Sequence, residues 1–95
     1  MKLVKLSKKY KVDDKELDEV SLDFDLIDGE LMENMQALYF QTYPTKEQAF
    51  VMEMDRRYQR MFAEQITDLP NTFFKKLSGN DYISVMAEVQ NFLLS

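Results

Sequence analysis

The sequence predicts an α+β domain in which an N-terminal two-stranded β-hairpin packs on a small bundle of three main helices plus one short helix. In the first 26 residues, apolar and polar residues alternate with the period of two that is typical of half-buried strands. From residue 28 onward, apolar residues recur at helical spacing, and capping residues and prolines separate the helices. A chain of 95 residues is long enough for one domain, so we predict a single domain over 1–95, with the hairpin in 1–26 and the helical part in 28–94.

The predicted strands cover residues 4–12 and 20–26, and the turn covers residues 13–16. Aspartates favour turns because their side chains hydrogen-bond to the nearby backbone, and Asp13 and Asp14 lie between the two strands. Lys8 interrupts the apolar face of the first strand, which indicates either a bulge or a frayed edge. The apolar face otherwise consists of Val4, Leu6, Tyr10, Val12, Val20, Leu22, Phe24 and Leu26.

Charge is distributed unevenly along the hairpin. Residues 2–11 contain five lysines and no acid, whereas residues 13–33 contain ten acids and only one base, Lys15. The lysines alone would fit a phosphate-binding arm. The acids follow at hairpin distance, however, so the favoured interpretation is that two paired strands present opposite charges to each other. The net charge of −5 argues against nucleic acid as the main partner.

The first two helices are predicted from their caps. Asp28 is a suitable N-cap for a helix that runs to about Thr42, and Pro44 ends it. Residues 45–48 then form a capping-box pattern, in which Gln48 can reach back to the backbone of Thr45. We therefore predict a second helix from there to about residue 67, with Phe50, Val51, Met54, Tyr58, Met61, Phe62 and Ile66 on its apolar side.

The remaining chain predicts a short helical turn and a final helix. Asp68 is the expected cap of the short turn, whose apolar side carries Phe73, Phe74 and Leu77. Ser78 is the expected N-cap of the last helix, with Asp81 three residues later. The apolar residues of that helix cover almost half of its circumference, which predicts a central helix with several neighbours: Tyr82, Ile83, Val85, Met86, Val89, Phe92 and Leu93.

The composition argues against catalysis. The chain has no cysteine and no histidine, so it lacks the usual zinc ligands, thiol nucleophiles and bases that activate serine. The carboxylate pairs at 13–14 and 23–25 do not have the spacing of a calcium loop. We therefore expect no catalytic, cofactor-binding or metal-binding residue, and a protein that is not an enzyme. Charges within residues 1–6 argue against a signal peptide, and no stretch is apolar enough to span a membrane, so we expect a cytoplasmic protein.

Several apolar residues lie off the predicted helical stripes. Phe40 is on the opposite side of the first helix from Leu38, and Met52 lies outside the stripe of the second. Phe40 either packs against the hairpin or a third helix, or belongs to an exposed patch that binds a partner chain or a second copy of this protein. Methionine suits adaptable binding surfaces, and this chain has seven. The candidate partner-binding residues are Phe40, Tyr43, Met52, Met54 and Phe73.

Two groups of residues carry a resemblance to a known family. One is the strand pair with its polar turn: Val4-Lys5-Leu6, Asp13-Asp14-Lys15 and Val20-Ser21-Leu22. The other is the C-terminal run: Ile66-Thr67-Asp68-Leu69-Pro70, Phe74, Leu77-Ser78, Asp81, Val85 or Met86, Val89 and Phe92-Leu93. With this layout the chain resembles the tail assembly chaperones of long-tailed bacteriophages, in particular the small tail proteins of Mu-like phages and protein E of P2-like phages. Asp68 departs from the pattern, because the family has glycine before Leu-Pro.

The resemblance implies a function without catalysis. It implies a phage or prophage tail assembly chaperone, which binds the tape measure protein and keeps it soluble while tail tube subunits polymerise around it. The tape measure protein is the implied partner, with the tail tube protein as a second. The resemblance also implies a location in the bacterial host cytoplasm and absence from the mature virion. The alternative is a small cytosolic adaptor or regulator that binds another protein through the same surface, and a structural virion component is a third class.

Overall fold

The computed structural model describes residues 1–95 and confirms the α+β arrangement. Two antiparallel strands form the hairpin, and three α-helices with short 3-10 turns form the rest. The bounds are β1 Lys2–Val12, β2 Lys15–Leu22, α1 Gly29–Thr42, α2 Arg56–Gln65 and α3 Gly79–Leu94. The 3-10 turns cover Phe24–Leu26, Thr45–Glu47, Met52–Met54 and Phe74–Lys76. No helix combines the length and the apolar character required to cross a bilayer.

The hairpin turn is shorter than predicted. It consists of Asp13 and Asp14 alone, and both have positive φ angles, 48° and 66°. Two-residue hairpin turns favour this left-handed conformation because it matches the twist of the flanking strands, and aspartate tolerates it better than most residues. Lys15 and Glu16, which were predicted to lie in the turn, therefore begin β2.

The irregularity predicted at Lys8 is a bulge. Lys5 pairs with Glu19 and Tyr10 pairs with Leu17, so residues 6–9 of β1 oppose Asp18 alone. The prediction of opposite charges on the paired strands is also confirmed. Ion pairs join Lys5 to Glu19 at 3.1 Å and Lys9 to Glu16 at 3.7 Å. The hydrogen bond from Lys5 to Glu19, and then the charge of Glu19, raise the pKa of the lysine.

The second strand ends earlier than predicted. It stops at Leu22, and Phe24–Leu26 form a 3-10 turn instead of continuing the strand. The Asp23 side chain caps this turn by accepting from the Asp25 amide at 3.3 Å. Phe24 keeps an apolar contact in this position, because its ring stacks on Phe92 of α3 with the centroids 4.8 Å apart.

Helix α1 matches its predicted bounds but is only lightly packed. Asp28 caps it by accepting from the Leu31 amide at 2.9 Å, and the helix ends at Thr42, two residues before Pro44. Only Met35 and Tyr39 are fully buried. Most of the circumference of α1 is therefore in solvent, unlike that of α2 and α3.

The prediction that the second helix begins near Thr45 is wrong. Residues 45–55 contain two short 3-10 turns, and α2 begins only at Arg56. The expected capping box does not form, because the Gln48 side chain donates to the carbonyl oxygen of Tyr43 instead of the Thr45 backbone. Asp55 is the actual N-cap, and its carboxylate accepts from the Arg57 amide at 2.9 Å.

The core lies between the hairpin, α2 and α3. Buried side chains come from β1, β2 and all three helices, and α3 contacts β1, α2 and the 3-10 turn Met52–Met54, as expected of a central helix. Ser78 caps α3 as predicted. The predicted cap at Asp68 is wrong, because the helical turn begins only at Phe74. The core consists of Val4, Val20, Leu22, Met35, Tyr39, Tyr58, Met61, Phe62, Ala63, Ile66, Phe73, Phe74, Leu77, Val85, Met86 and Val89.

Candidate functional site: an exposed apolar surface at residues 38–54

Exposed apolar side chains concentrate between the C-terminal half of α1 and the start of α2. Five large apolar residues of this segment are exposed, and Phe50 has its whole side chain in solvent. Tyr43 and Met52 are half-buried between them. We call this segment the 38–54 surface. Its exposed members are Leu38, Phe40, Phe50, Val51 and Met54, of which Leu38 and Phe40 lie on opposite sides of α1.

The structure separates the five candidate residues. Phe40 and Met54 are 52% and 59% exposed, and Tyr43 and Met52 are half-buried, so these four lie on the 38–54 surface. Phe73 is only 5% exposed, because it packs in the core with its ring edge-on to Phe74 at 5.4 Å. The prediction of Phe73 as a surface residue is therefore wrong.

Tyr39 holds the two parts of the surface together. Its hydroxyl donates to the Asp55 carboxylate at 2.6 Å and accepts from the Ala49 amide at 2.9 Å. Phe40 directly follows Tyr39, and Phe50 directly follows Ala49. The buried Tyr39 hydroxyl therefore links the backbone beside Phe40 to the backbone beside Phe50.

Arg57, in the first turn of α2, supports the same region. We call this region the Asp55 corner; it consists of Asp55, Tyr39, Arg57 and the Ala49 amide. The Arg57 guanidinium binds the Asp55 carboxylate, with the closest contact at 2.8 Å, and also donates to the carbonyl oxygen of Glu47. It lies over the Tyr43 ring, 4.0 Å from the centroid, in the geometry of a cation–π contact. The segment between α1 and α2 is therefore held at three points although it is not a regular helix.

The charges at this corner are stabilised by hydrogen bonds. Burial alone would raise the pKa of Asp55, but the hydrogen bonds from Arg57 and Tyr39 outweigh it and lower the pKa to about 2. Burial, followed by the bond to Asp55, raises the pKa of Tyr39. Asp55 is therefore ionised and Tyr39 neutral at physiological pH, so the hydrogen bond between them is kept.

Sequence reasoning missed part of this surface. Phe50 and Val51 were assigned to the apolar stripe of a longer second helix, but Phe50 is fully exposed and Val51 is 39% exposed. A signal was present, since Asp55 before Arg56 competes with Thr45 as an N-cap. With Asp55 as the N-cap, residues 45–54 would lie outside the predicted helix, and their apolar side chains would not be assigned to its buried stripe.

The surface offers apolar contact and few groups for chemistry. Nowhere in the protein do three or more acidic residues come together as a group that could hold a metal ion. Exposed large apolar side chains that cluster in one segment are typical of sites where another macromolecule binds. The chain matches no protein-family model, no curated protein and no solved structure.

Proposed function

We propose that this protein is a non-enzymatic phage or prophage tail assembly chaperone that binds the tape measure protein through the 38–54 surface. The observation that carries the proposal is the exposure of five large apolar side chains in one short segment that hydrogen bonds hold in place. A tape measure protein is long and helical, and amphipathic helices bind by placing their apolar side chains against such surfaces. The resemblance of the hairpin and the C-terminal run to this family supports the choice of partner.

Preorganisation of the surface favours binding. Ordering a flexible loop upon binding costs free energy, whereas a loop already held by Tyr39, Asp55 and Arg57 avoids most of that cost. Methionines contribute adaptable contacts, and Met52 and Met54 lie in the same 3-10 turn. A surface of this kind suits a partner that presents several similar amphipathic segments in succession.

Co-expression tests the proposal. The protein should raise the soluble fraction of the tape measure protein encoded beside it, and Phe40→Asp should abolish most of that gain, since anchor residues typically contribute about 2 kcal/mol to binding. Gln41→Asp is the matched control, because it adds the same charge at the adjacent exposed position of α1. No gain in solubility with both proteins folded would count heavily against the proposal.

Two further observations separate the proposal from its rivals. A structural virion component would be found in stoichiometric amount by mass spectrometry of purified particles, whereas a chaperone should be absent or present in trace. An adaptor of another pathway would use the same surface on a different protein. A tail tube gene upstream and a very long reading frame downstream would favour the chaperone over the adaptor.

A further inference from the structure

The seven methionines of this protein differ widely in their exposure to solvent. Five of them are buried or half-buried, namely Met32, Met35, Met52, Met61 and Met86. Met1 and Met54 are exposed, at 83% and 59%. Met1 precedes β1, whereas Met54 ends the 3-10 turn Met52–Met54. Met54 is therefore the only exposed methionine that lies within an element of the fold.

The backbone around Met54 is held in place, so its exposure is set by the fold. The Met54 amide donates to the carbonyl oxygen of Val51 at 3.1 Å. From α2, the buried side chain of Gln59 donates to the carbonyl oxygen of Glu53 at 2.8 Å. Asp55, which directly follows Met54, is the N-cap of α2. Hydrogen bonds therefore fix the chain on both sides of the exposed thioether.

The thioether of methionine reacts with hydrogen peroxide without the help of a catalytic group. A sulfur lone pair attacks one peroxide oxygen and the O–O bond breaks. The proton of the transferred oxygen passes to the departing hydroxide, which leaves as water. Sulfur is oxidised by two electrons and the peroxide is reduced by two, so no further reactant is required. The product is methionine sulfoxide, which is polar and which methionine sulfoxide reductases convert back to methionine.

We propose that peroxides oxidise Met54 ahead of the five less exposed methionines, and that the sulfoxide weakens binding at the 38–54 surface. Exposure decides which thioether meets the oxidant, and the chain has no cysteine whose thiol would compete. A partner that covers this surface buries the sulfoxide oxygen, and burying a polar group without a hydrogen bond costs free energy. The loss of binding rests on the proposed function, whereas the order of oxidation does not.

Oxidation and binding oppose each other at this residue. The bound partner covers Met54 and shields its sulfur from peroxide. The sulfoxide in turn disfavours the bound state, as reciprocal coupling between two events at one site requires. Peroxide therefore acts on the free protein and keeps it free until a reductase restores the thioether.

Timed treatment of the full chain with dilute hydrogen peroxide, followed by peptide mass spectrometry, tests the order of oxidation. Sulfoxide should form at Met54 about fivefold faster than at the half-buried Met52, and hardly at all at the core methionines. Met1 should react quickly as well, which makes it an internal control for an exposed methionine away from the surface. Equal rates at Met54 and Met52 would overturn the assignment of the site.

Binding measured before and after the treatment tests the effect of the sulfoxide, with the tape measure protein of the co-expression experiment as the probe. Treated wild type should bind about tenfold more weakly than untreated wild type, and reductases for both sulfoxide epimers should restore the affinity. Met54→Leu should keep its own untreated affinity through the same treatment, although Met1 is still oxidised. Met52→Leu retains Met54 and should lose affinity as the wild type does.

Three results would overturn the effect on binding: unchanged affinity of the oxidised wild type, an equal loss in Met54→Leu, or a loss that accompanies a fall in melting temperature. The last would show that oxidation acts through the core. If the untreated protein does not bind the tape measure protein, the proposed function fails and the effect on binding fails with it. The order of oxidation then still decides whether Met54 is the peroxide site.

Discussion

Two helix starts in this protein share the same construction but lie in different surroundings. At α2, the Tyr39 hydroxyl donates to Asp55 and accepts from the Ala49 amide. At α3, the Tyr10 hydroxyl donates to Asp81 at 2.7 Å and accepts from the Ser78 amide at 3.0 Å. In each case the hydroxyl of a tyrosine from an earlier element donates to an aspartate at the start of the helix. The same hydroxyl accepts from a backbone amide in the segment that precedes the helix.

The second partner of each aspartate differs. Asp55 binds Arg57, which follows it by two residues, so its corner is mostly local. Asp81 has no basic partner and instead accepts from the amide and the hydroxyl of Ser7, both at 2.9 Å. Ser7 lies in the bulge of β1, so the bulge brings two donors to the start of α3. We call these contacts the Asp81 corner; they join β1 to the start of α3.

The two corners hold different parts of the protein in place. The Asp81 corner fastens the hairpin to the central helix, and the buried aspartate also benefits from the positive end of the α3 dipole. The Asp55 corner fastens the segment that presents Phe50 and Val51. We expect damage to the first to unfold the protein, and damage to the second to loosen the 38–54 surface in a protein that remains folded.

Asp81→Ala should have the largest effect. It removes three hydrogen bonds from Ser7 and Tyr10 to a buried, charged acceptor, so the melting temperature should fall on the order of 20 °C. Thermal unfolding followed by circular dichroism measures this, with Asn80→Ala at the exposed neighbouring position as the control. A melting temperature within a few degrees of wild type would show that the hairpin does not depend on this corner.

Asp55→Ala should have a smaller effect on stability and a local effect on structure. We expect a loss of about 2–3 kcal/mol, from the helix cap and the bonds to Tyr39 and Arg57. Hydrogen exchange at the Ala49 amide should accelerate far more than exchange in α3. Glu53→Ala is the control, since the Glu53 side chain makes no hydrogen bond or ion pair in the structure. Equal acceleration in α3 would contradict the proposed division of tasks.

Acid should weaken both corners. Asp55 has a folded-state pKa of about 2, below its ordinary value, so its contribution is present above about pH 5 and is lost as the pH falls towards 2. For Asp55 alone the loss is about 2 kcal/mol. The hydrogen bond from Tyr10 outweighs burial, and with help from Ser7 it lowers the pKa of Asp81 too, so its contribution has the same sign. Urea unfolding between pH 6 and pH 2.5 measures this loss. In Asp55→Asn, the free energy of unfolding should depend less on pH than in the wild type.

The two tyrosine hydroxyls should have the smallest effects. Tyr10→Phe and Tyr39→Phe keep the rings but remove a donor to an aspartate and an acceptor for a backbone amide, so each should cost about 1–2 kcal/mol. Tyr39→Phe should also expose the Ala49 amide to hydrogen exchange, whereas Tyr10→Phe should not. If both variants change exchange at Ala49 equally, the corners are coupled and the comparison between them is wrong.

The sequence predicted the elements that depend on local signals. Asp28 and Pro44 bound α1 as expected, Ser78 begins α3, and the lysines of β1 face the acids of β2. These features follow from capping, from the fixed φ of proline and from cross-strand charge pairing, all of which act between neighbours in the sequence or across a tight turn.

The candidate site could be predicted only in part, because distant contacts decide it. Phe40 and Met52 were identified because they lie off the predicted helical stripes, and the first is exposed and the second half-buried. Phe50 was missed because the start of α2 depends on Tyr39, which takes the Ala49 amide from another element. Phe73 was misplaced because only the packing of the chain after α2 against the hairpin buries it, where its ring lies 6.0 Å from that of Tyr10. The contact that buries Phe73 has no local sequence signal, whereas the later start of α2 had one in the cap residue Asp55.

The central claim is that a partner binds where residues 38–54 present apolar side chains in a preorganised segment. Hydrogen–deuterium exchange of the protein alone and in complex with its co-expressed partner tests this most directly. The account predicts new protection in the segment from the C-terminal half of α1 to the start of α2, and loss of that protection in Phe40→Asp. Protection confined to other parts of the molecule, with residues 38–54 exchanging as in the free protein, would contradict it.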